Sequence, residues 1–473
     1  MPDSVEIAPP PLETGEHTTL VPRATVLPKT LPGAATAWVL YDLANTVYVA
    51  TLTFIFVPYL GKLFETRATV GIVSSISMIC AGLLVPAFAA AADRTGRCRT
   101  YLIVGTLACI VPMGLFGATQ SLLPLMAAFF IANLAYNASL VFYNALLPSV
   151  AADRNQGLVS GLGVGLGYIG TLLTLIVVLP ISGRLGEQTT FFITAAMFLA
   201  FALPSFLLVK ERRVTSREPF SMGLVRQSFG SVLKTLKSLP ANRAVMWFLL
   251  GNFFCVDVLN TAILFFGDMT ETTFRDSIVA GEATIFGFQI ESGLQLLMIS
   301  GMTLNGLALI FGITLGFLTD KLGSLRMLRF SAACLVVGLV GAALAAGQTV
   351  LGYLIGICGF GGLGLSGIWT AGRKLLIELS PREKVGEYFG LYGITTKLSV
   401  IGSAVVGVLK DVITRQTGSE LTGWRIAIGA QAIPLLLGIL FLALVKKPVA
   451  KPVPAVAEPD PLRPYGHQSD TNS

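Results

Sequence analysis

Twelve stretches of this chain, each roughly 20 residues or more, are too apolar for any water-soluble fold to cover: 36–60, 69–92, 100–118, 122–146, 158–182, 190–209, 243–267, 291–319, 327–347, 350–372, 388–410 and 424–445. A helix of about 20 residues crosses the ~30 Å hydrocarbon layer of a bilayer. It also satisfies its own backbone hydrogen bonds, which lipid cannot do for it. Hydrophobic residues make up 53% of the chain and charged residues 12%, against about 25% charged in soluble domains. Mean hydropathy is +0.75. The expected fold is all-α, with twelve transmembrane helices.

Inside two of these runs sits the same costly pattern, Asp-x-x-Asn-Thr: Asp42 to Thr46 in the first and Asp257 to Thr261 in the seventh. A carboxylate in hydrocarbon costs several kcal/mol unless it faces water or a partner, so it marks a pathway by default. Asp42 and Asn45 share a helical face with Trp38 and roughly with Tyr48, and Asn260 shares one with Asp257. Asp42 lies about 12 Å into its run at the helical rise, while Asp257 falls near the midplane. These acids either line a wet cavity, binding a proton, a cation or an ammonium group, or form a buried polar clasp between helices.

The duplication extends further. Asp93-Arg94-Thr95-Gly96-Arg97 follows the second run, and Asp320-Lys321-Leu322-Gly323 follows the eighth. The Asp-to-Asp spacing is 51 residues in the first half (93 − 42) and 63 in the second (320 − 257), which places an insertion in the polar outer loop around Asp268–Glu282. Gly161 and Gly390, near the starts of the fifth and eleventh runs, are 229 residues apart (390 − 161), close to the 227 between Asp93 and Asp320. Two parallel repeats with substrate held between them are one way transporters are built.

Loop charge gives an orientation. With both termini cytoplasmic, the tails and cytoplasmic loops hold 25 Lys/Arg and the opposite loops seven, as the positive-inside rule requires. That imbalance accounts for the net charge of +7 without nucleic-acid binding. The expected domains are a disordered tail (1–33), a six-helix bundle (34–209), a basic cytoplasmic linker (210–243), a second six-helix bundle (244–445) and a second disordered tail (446–473). The N-terminal segment lacks the apolar core of a signal peptide. Six cysteines without a CxxC pair indicate neither a disulfide framework nor a metal site. Both histidines, His17 and His467, lie in the tails, so proton coupling would fall to carboxylates or tyrosines. No cofactor is expected, and the bilayer and a small solute are the expected partners of a monomer.

The loop motifs, Asp93-Arg94-x-Gly96-Arg97 and Gly316-x-x-x-Asp320-x-x-Gly323, resemble the cytoplasmic signature of the major facilitator superfamily. Ala37-Trp38-x-x-Tyr41-Asp42-x-Ala44-Asn45-Thr46-x-Tyr48, Phe142-Tyr143-Asn144-Ala145-Leu146-Leu147-Pro148 and Glu387-Tyr388-Phe389-Gly390-Leu391-Tyr392 resemble its vacuolar amino-acid effluxer-like branch. The resemblance covers most of residues 36–445. It implies two pseudo-symmetric six-helix bundles, alternating access, an amino-acid substrate, and gating roles for the loops at Asp93, Arg94, Arg97, Asp320 and Lys321. Two positions depart from the signature: Ala89 stands where glycine is usual, and Ser324 where a basic residue is usual.

Substrate or proton binding is expected of Asp42, Asn45, Tyr48, Asn137, Asn144, Asp257, Asn260, Arg373, Tyr392 and Lys397. Among the acids, the midplane position puts Asp257 first. Lys397 either holds a substrate carboxylate or pairs with Asp257, or it reaches out to the interface, as Lys374 is expected to do. Asn133, Asn137 and Asn144 share a face and serve either substrate or helix packing. The most economical reading is a proton-coupled transporter of a small polar solute in a bacterial inner membrane, not an enzyme. A cation-coupled sugar symporter and a non-transporting receptor are the alternatives. A phosphate-cradling loop ending Gly-Lys-Ser/Thr, which a primary pump would need, is absent from the sequence.

Overall fold

A computed structural model describes residues 33–63, 68–210, 218–219, 221–398 and 401–446. The expectations for the two tails therefore lie outside the described residues, apart from the last residue or so at the inner border of each.

Among the described residues, eleven helices are long and apolar enough to cross a membrane: Gly33–Leu60, Ile72–Thr95, Leu122–Ala145, Asp153–Leu185, Glu187–Leu208, Arg243–Thr273, Gly293–Leu322, Ser324–Ala345, Val350–Leu379, Arg382–Thr417 and Glu420–Ala443. The shorter apolar helix Cys98–Gly114 is the third in chain order and completes twelve. They are called here the first to twelfth helices. A separate amphipathic helix, Met222–Ser238, lies between the sixth and seventh. The expected all-α architecture is found, in two six-helix halves.

Glycine supplies the sharp turns after the second and eighth helices. Gly96 has φ +62° and Gly323 has φ +94°, values at which a side chain is strained. That explains the glycine in both loop motifs: each turns the chain directly into the next helix.

One expectation needs correction. The outer insertion is not simply a loop around Asp268–Glu282. The seventh helix runs on to Thr273, because residues 268–273 contain neither glycine nor proline to stop it. A short helix, Arg275–Val279, and a two-stranded hairpin, Thr284–Ile285 with Phe288–Gln289, complete the segment. Phe286 and Gly287 both have positive φ in the two-residue turn.

The halves meet along two seams. The fifth helix packs on the eighth and the second on the eleventh, whereas the first and seventh scarcely touch. Both seams depend on glycine. A Cβ on Gly161 would lie 2.7 Å from Gly316 Cα, and one on Gly390 would lie 2.6 Å from Pro86 Cα. Small residues let the backbones approach this closely and so build the contact from dispersion.

Candidate functional site

The hydrogen bonds that cross between the halves cluster at the end bearing Asp93 and Asp320. Asp93 accepts the backbone N–H groups of Gly386 (3.1 Å) and Glu387 (2.9 Å), capping the start of the eleventh helix from the other half. Asp320 does the same for the fifth, accepting from Gly157 N–H (2.8 Å) and Leu158 N–H (2.7 Å). Each carboxylate satisfies N–H groups that a helix start leaves without partners, and each sits against the positive end of the helix dipole. Ser160 Oγ donates to Thr370 O (3.3 Å), and an exposed pair, Arg382–Asp153 (3.1 Å), lies at the rim.

Among the described residues, the cations that neighbour these acids in sequence make no ion pair across the halves. Lys321 turns back over the Phe317 ring (4.2 Å), and Arg97 is exposed. Arg94 forms a bidentate pair with Glu218 (2.9 and 2.8 Å). Asp320 instead binds Lys374 Nζ at 2.5 Å. Lys374 therefore does not snorkel: it is 5% exposed, because its face of the tenth helix is turned to the end of the eighth. Ser324, where the family signature usually has a basic residue, donates its hydroxyl to Glu378.

Replacing Asp320 with Asn should weaken this closure sharply. It takes the charge from the carboxylate that caps the fifth helix across the seam and leaves Lys374 only Glu378, at 4.0 Å; breaking a buried pair costs about 3–5 kcal/mol. Accessibility of a single cysteine placed on the inter-half face of the fifth helix should rise by at least about tenfold at this end. Unchanged accessibility would contradict the closing role.

Deeper between the halves lies a second ion pair. Arg373 Nη1, from the tenth helix, contacts Asp42 Oδ2, from the first, at 3.0 Å, with both side chains 9% exposed. The pair is enclosed by aromatic rings. Trp38 stacks on Tyr143 (4.2 Å between centroids, 12° between planes) and donates its indole N–H to Tyr143 O (2.8 Å). The guanidinium lies 5.9 Å from the Trp38 ring and 5.6 Å from the Tyr143 ring. Gly163 leaves the necessary room: a Cβ there would lie 3.0 Å from Asp42 Oδ2 and 3.1 Å from the Tyr143 hydroxyl.

The other half repeats this arrangement with large and small residues exchanged. Tyr143 and Gly372 are 229 residues apart (372 − 143), as are Gly163 and Tyr392 (392 − 163). A Cβ on Gly372 would approach Asn252 Oδ1 (3.4 Å) and the Tyr392 hydroxyl (3.5 Å). Each half thus presents one tyrosine and one glycine, and Arg373 sits beside the second set.

The remaining candidates separate into groups. Asn45, Tyr48 and Asn144, together with Thr370, carry buried polar atoms without a protein partner, and buried polar groups normally have one. Asn45 and Thr370 lie one turn from Asp42 and Arg373, on the side away from the closed end. The Tyr48 ring stacks on Tyr136 (4.5 Å). Asn137 Nδ2 donates to Asn133 O of its own helix (2.7 Å), and the Asn133 amide donates to Ser77 of the second helix (2.6 Å).

Asp257 accepts the backbone N–H of Gly402 (2.9 Å), inside its own half, and forms no ion pair among the described residues. Asn260 donates to Thr396 O (3.3 Å), also within that half. Lys397 forms no ion pair among the described residues. Its spacing from Gly386, Gly390 and Gly393 puts it on the same face of the eleventh helix. That face meets Asp93, Pro86 and Val141 of the other half, so Lys397 lies just beyond the closed contact.

The family model for the Major Facilitator Superfamily matches residues 43–361 and, in a second match, 283–470. The chain is 26% identical over 432 residues to an uncharacterised MFS-type transporter, YxiO, of Bacillus subtilis (strain 168), covering 86% of this chain and 94% of that one. It is 23% identical over 369 residues to an uncharacterised protein of Aquifex aeolicus (strain VF5), covering 77% and 85%. Among solved structures it is similar to the major facilitator transporter FucP in its outward conformation, with a TM-score of 0.63 at 13% identity over 88% of this chain and 98% of that one. It is also similar to the human organic anion transporter MFSD10, with a TM-score of 0.64 at 12% identity over 87% and 99%. At these identities the two structures bear on the fold alone.

Proposed function

This chain belongs to the major facilitator superfamily, a family of transporters, and on that premise we propose that it is a proton-coupled secondary transporter of a small carboxylate-bearing solute. The observation that carries this reading is the Asp42–Arg373 pair, which joins the two halves. An acid that pairs across the halves feels every opening and closing. An acid held within one half, as Asp257 is by Gly402, does not, so the coupling role passes from Asp257 to Asp42.

The mechanism follows from charge. With Asp42 ionised, the pair reinforces the closed end. A proton on Asp42 cancels the attraction and frees Arg373, which loosens the closure and lets the halves rock. Alternating access is then movement about the two glycine seams, with Asp93 and Asp320 releasing the helix starts they cap. Loop charge supports both termini, and the Asp93/Asp320 end, being cytoplasmic, in the inner membrane of a bacterial cell. The proposed division is two bundles, 34–209 and 244–445, joined by the linker 210–243, acting as a monomer.

For the substrate, Lys397 and Arg373 against Asp42 leave an excess of positive charge between the halves, which favours an anionic group. The orphaned amide oxygens of Asn45 and Asn144 offer acceptors for an ammonium group. An amino acid suits both, in line with the resemblance to the vacuolar effluxer-like branch. A screen of amino acids and sugars for thermal stabilisation of the purified protein tests this. Amino acids are expected to raise Tm in the wild type and to do so at least about tenfold less potently in Lys397→Met, the cost of losing one charge-assisted contact. Stabilisation by sugars alone would contradict the proposal.

A further inference from the structure

The linker helix, Met222–Ser238, has three faces rather than two. Leu224, Ser228, Val232 and Thr235 are at most 6% exposed and form the face docked on the protein, chiefly on the second helix. Met222, Phe229, Leu233 and Leu236 form a second apolar strip, yet they are 71%, 42%, 45% and 38% exposed. At 100° per residue this strip lies about a third of a turn from the docked face. Arg226 and Lys237 border its far edge, exposed, with Lys234 beyond them. The helix contains no acidic residue.

An apolar strip edged with cations is the pattern of a helix lying in the interfacial layer of a membrane. The depth agrees, because Glu218, just before the helix, pairs with Arg94 at the last turn of the second helix. That level is where the membrane-spanning segments end.

The docked face spans the seam between the halves. On one side Arg94 grips Glu218 and reaches Gln227 (3.3 Å). On the other side Thr235 and Ser231 donate their hydroxyls to the carboxylate of Glu387, at the start of the eleventh helix. Glu387 is 3% exposed, and its backbone N–H is one of the two that Asp93 caps. Opening the second/eleventh seam has to break the Thr235–Glu387 bond or carry the linker helix with it.

We propose that this helix docks on anionic phospholipid of the cytoplasmic leaflet and thereby holds the cytoplasmic end closed. Phosphate-bearing headgroups meet Arg226 and Lys237, the strip from Met222 to Leu236 enters the acyl boundary, and the anchored helix keeps Thr235 and Ser231 on Glu387. The inference rests on the cytoplasmic assignment of this end but not on any substrate or coupled proton.

The test uses the full chain, with spin labels on the cytoplasmic ends of the second and eleventh helices. It is reconstituted in nanodiscs of phosphatidylcholine, with or without 30% phosphatidylglycerol, and needs no solute. Polybasic attraction at Arg226 and Lys237 predicts that phosphatidylglycerol raises the closed-to-open ratio of the wild type by about thirtyfold. Arg226→Gln with Lys237→Gln should abolish that increment. Thr235→Val should keep the helix on the lipid, read as retained quenching of a probe at position 229 by brominated lipid, while the closed fraction no longer responds. A lipid response of equal size in the charge-neutralised variant would overturn the proposal, as would no response in the wild type. Failure of solute transport in every lipid would bear on the transport reading and leave this one standing.

Discussion

Asp42→Asn is expected to abolish accumulation of solute driven by a pH gradient in reconstituted vesicles, while exchange of labelled for unlabelled solute at equal concentrations continues. The asparagine copies the protonated acid in shape but cannot release a proton, so the cycle loses its coupled step and keeps its solute step. The substitution also strands Arg373 between the halves without its counter-ion. Removing one member of a buried pair costs about 3–5 kcal/mol, and every 1.4 kcal/mol is tenfold, so the closed end should lose occupancy by at least about a hundredfold. Gradient-driven accumulation within about twofold of wild type would show that Asp42 does not carry the proton. Asp257→Asn, prepared in parallel, should keep most of its proton coupling, since that acid is held by Gly402 inside one half.

The second large effect concerns Arg373. Arg373→Gln should lower the initial transport rate by about a hundredfold or more, because it removes both the partner of Asp42 and a cation between the halves. Arg373→Lys should recover only part of the loss. An ammonium keeps the charge but lacks the planar fork and the flat surface that lies near the rings of Trp38 and Tyr143. Thermal unfolding should separate pairing from packing. Asp42→Asn and Arg373→Gln should each lower Tm, and the double variant should melt above either single one, because no buried charge is left uncompensated. That non-additivity is the signature of direct coupling. Strictly additive losses would mean that the contact contributes little.

The span count and the intramembrane acids were legible in the sequence because each is a local property, and the duplication because both copies keep the same motifs in the same order. An apolar run about as long as the bilayer is thick has few other uses, and a carboxylate inside it stands out whatever surrounds it. Which residues meet was not legible. Asp42 and Arg373 are 331 positions apart, and only the packing of the halves brings them together; Trp38 and Tyr143 are 105 apart and meet only through helix packing inside the first half.

At the closed end, nearness in sequence does not give the ion-pair partner. Lys321 follows Asp320 directly, but consecutive helical residues point about 100° apart, and it folds over Phe317. The true partner is Lys374, 54 positions away. Position along the membrane normal favoured Asp257 among the acids, yet depth does not say whether a group faces its own half or the other. The second apolar strip of the linker helix was hidden for a similar reason. A basic segment reads as a linker until the burial of Leu224, Ser228, Val232 and Thr235 shows that a different set of apolar residues is left outside.

The central claim is that ionisation of Asp42 sets the balance between closed and open forms through Arg373. Its most direct test is the distance between spin labels on the cytoplasmic ends of the fifth and eighth helices, recorded as a function of pH without solute. In the wild type the closed population should fall as the pH falls and Asp42 takes up its proton. In Asp42→Asn the distribution should be shifted toward open and should not change with pH over the same range. A pH dependence in Asp42→Asn matching that of the wild type would contradict the account.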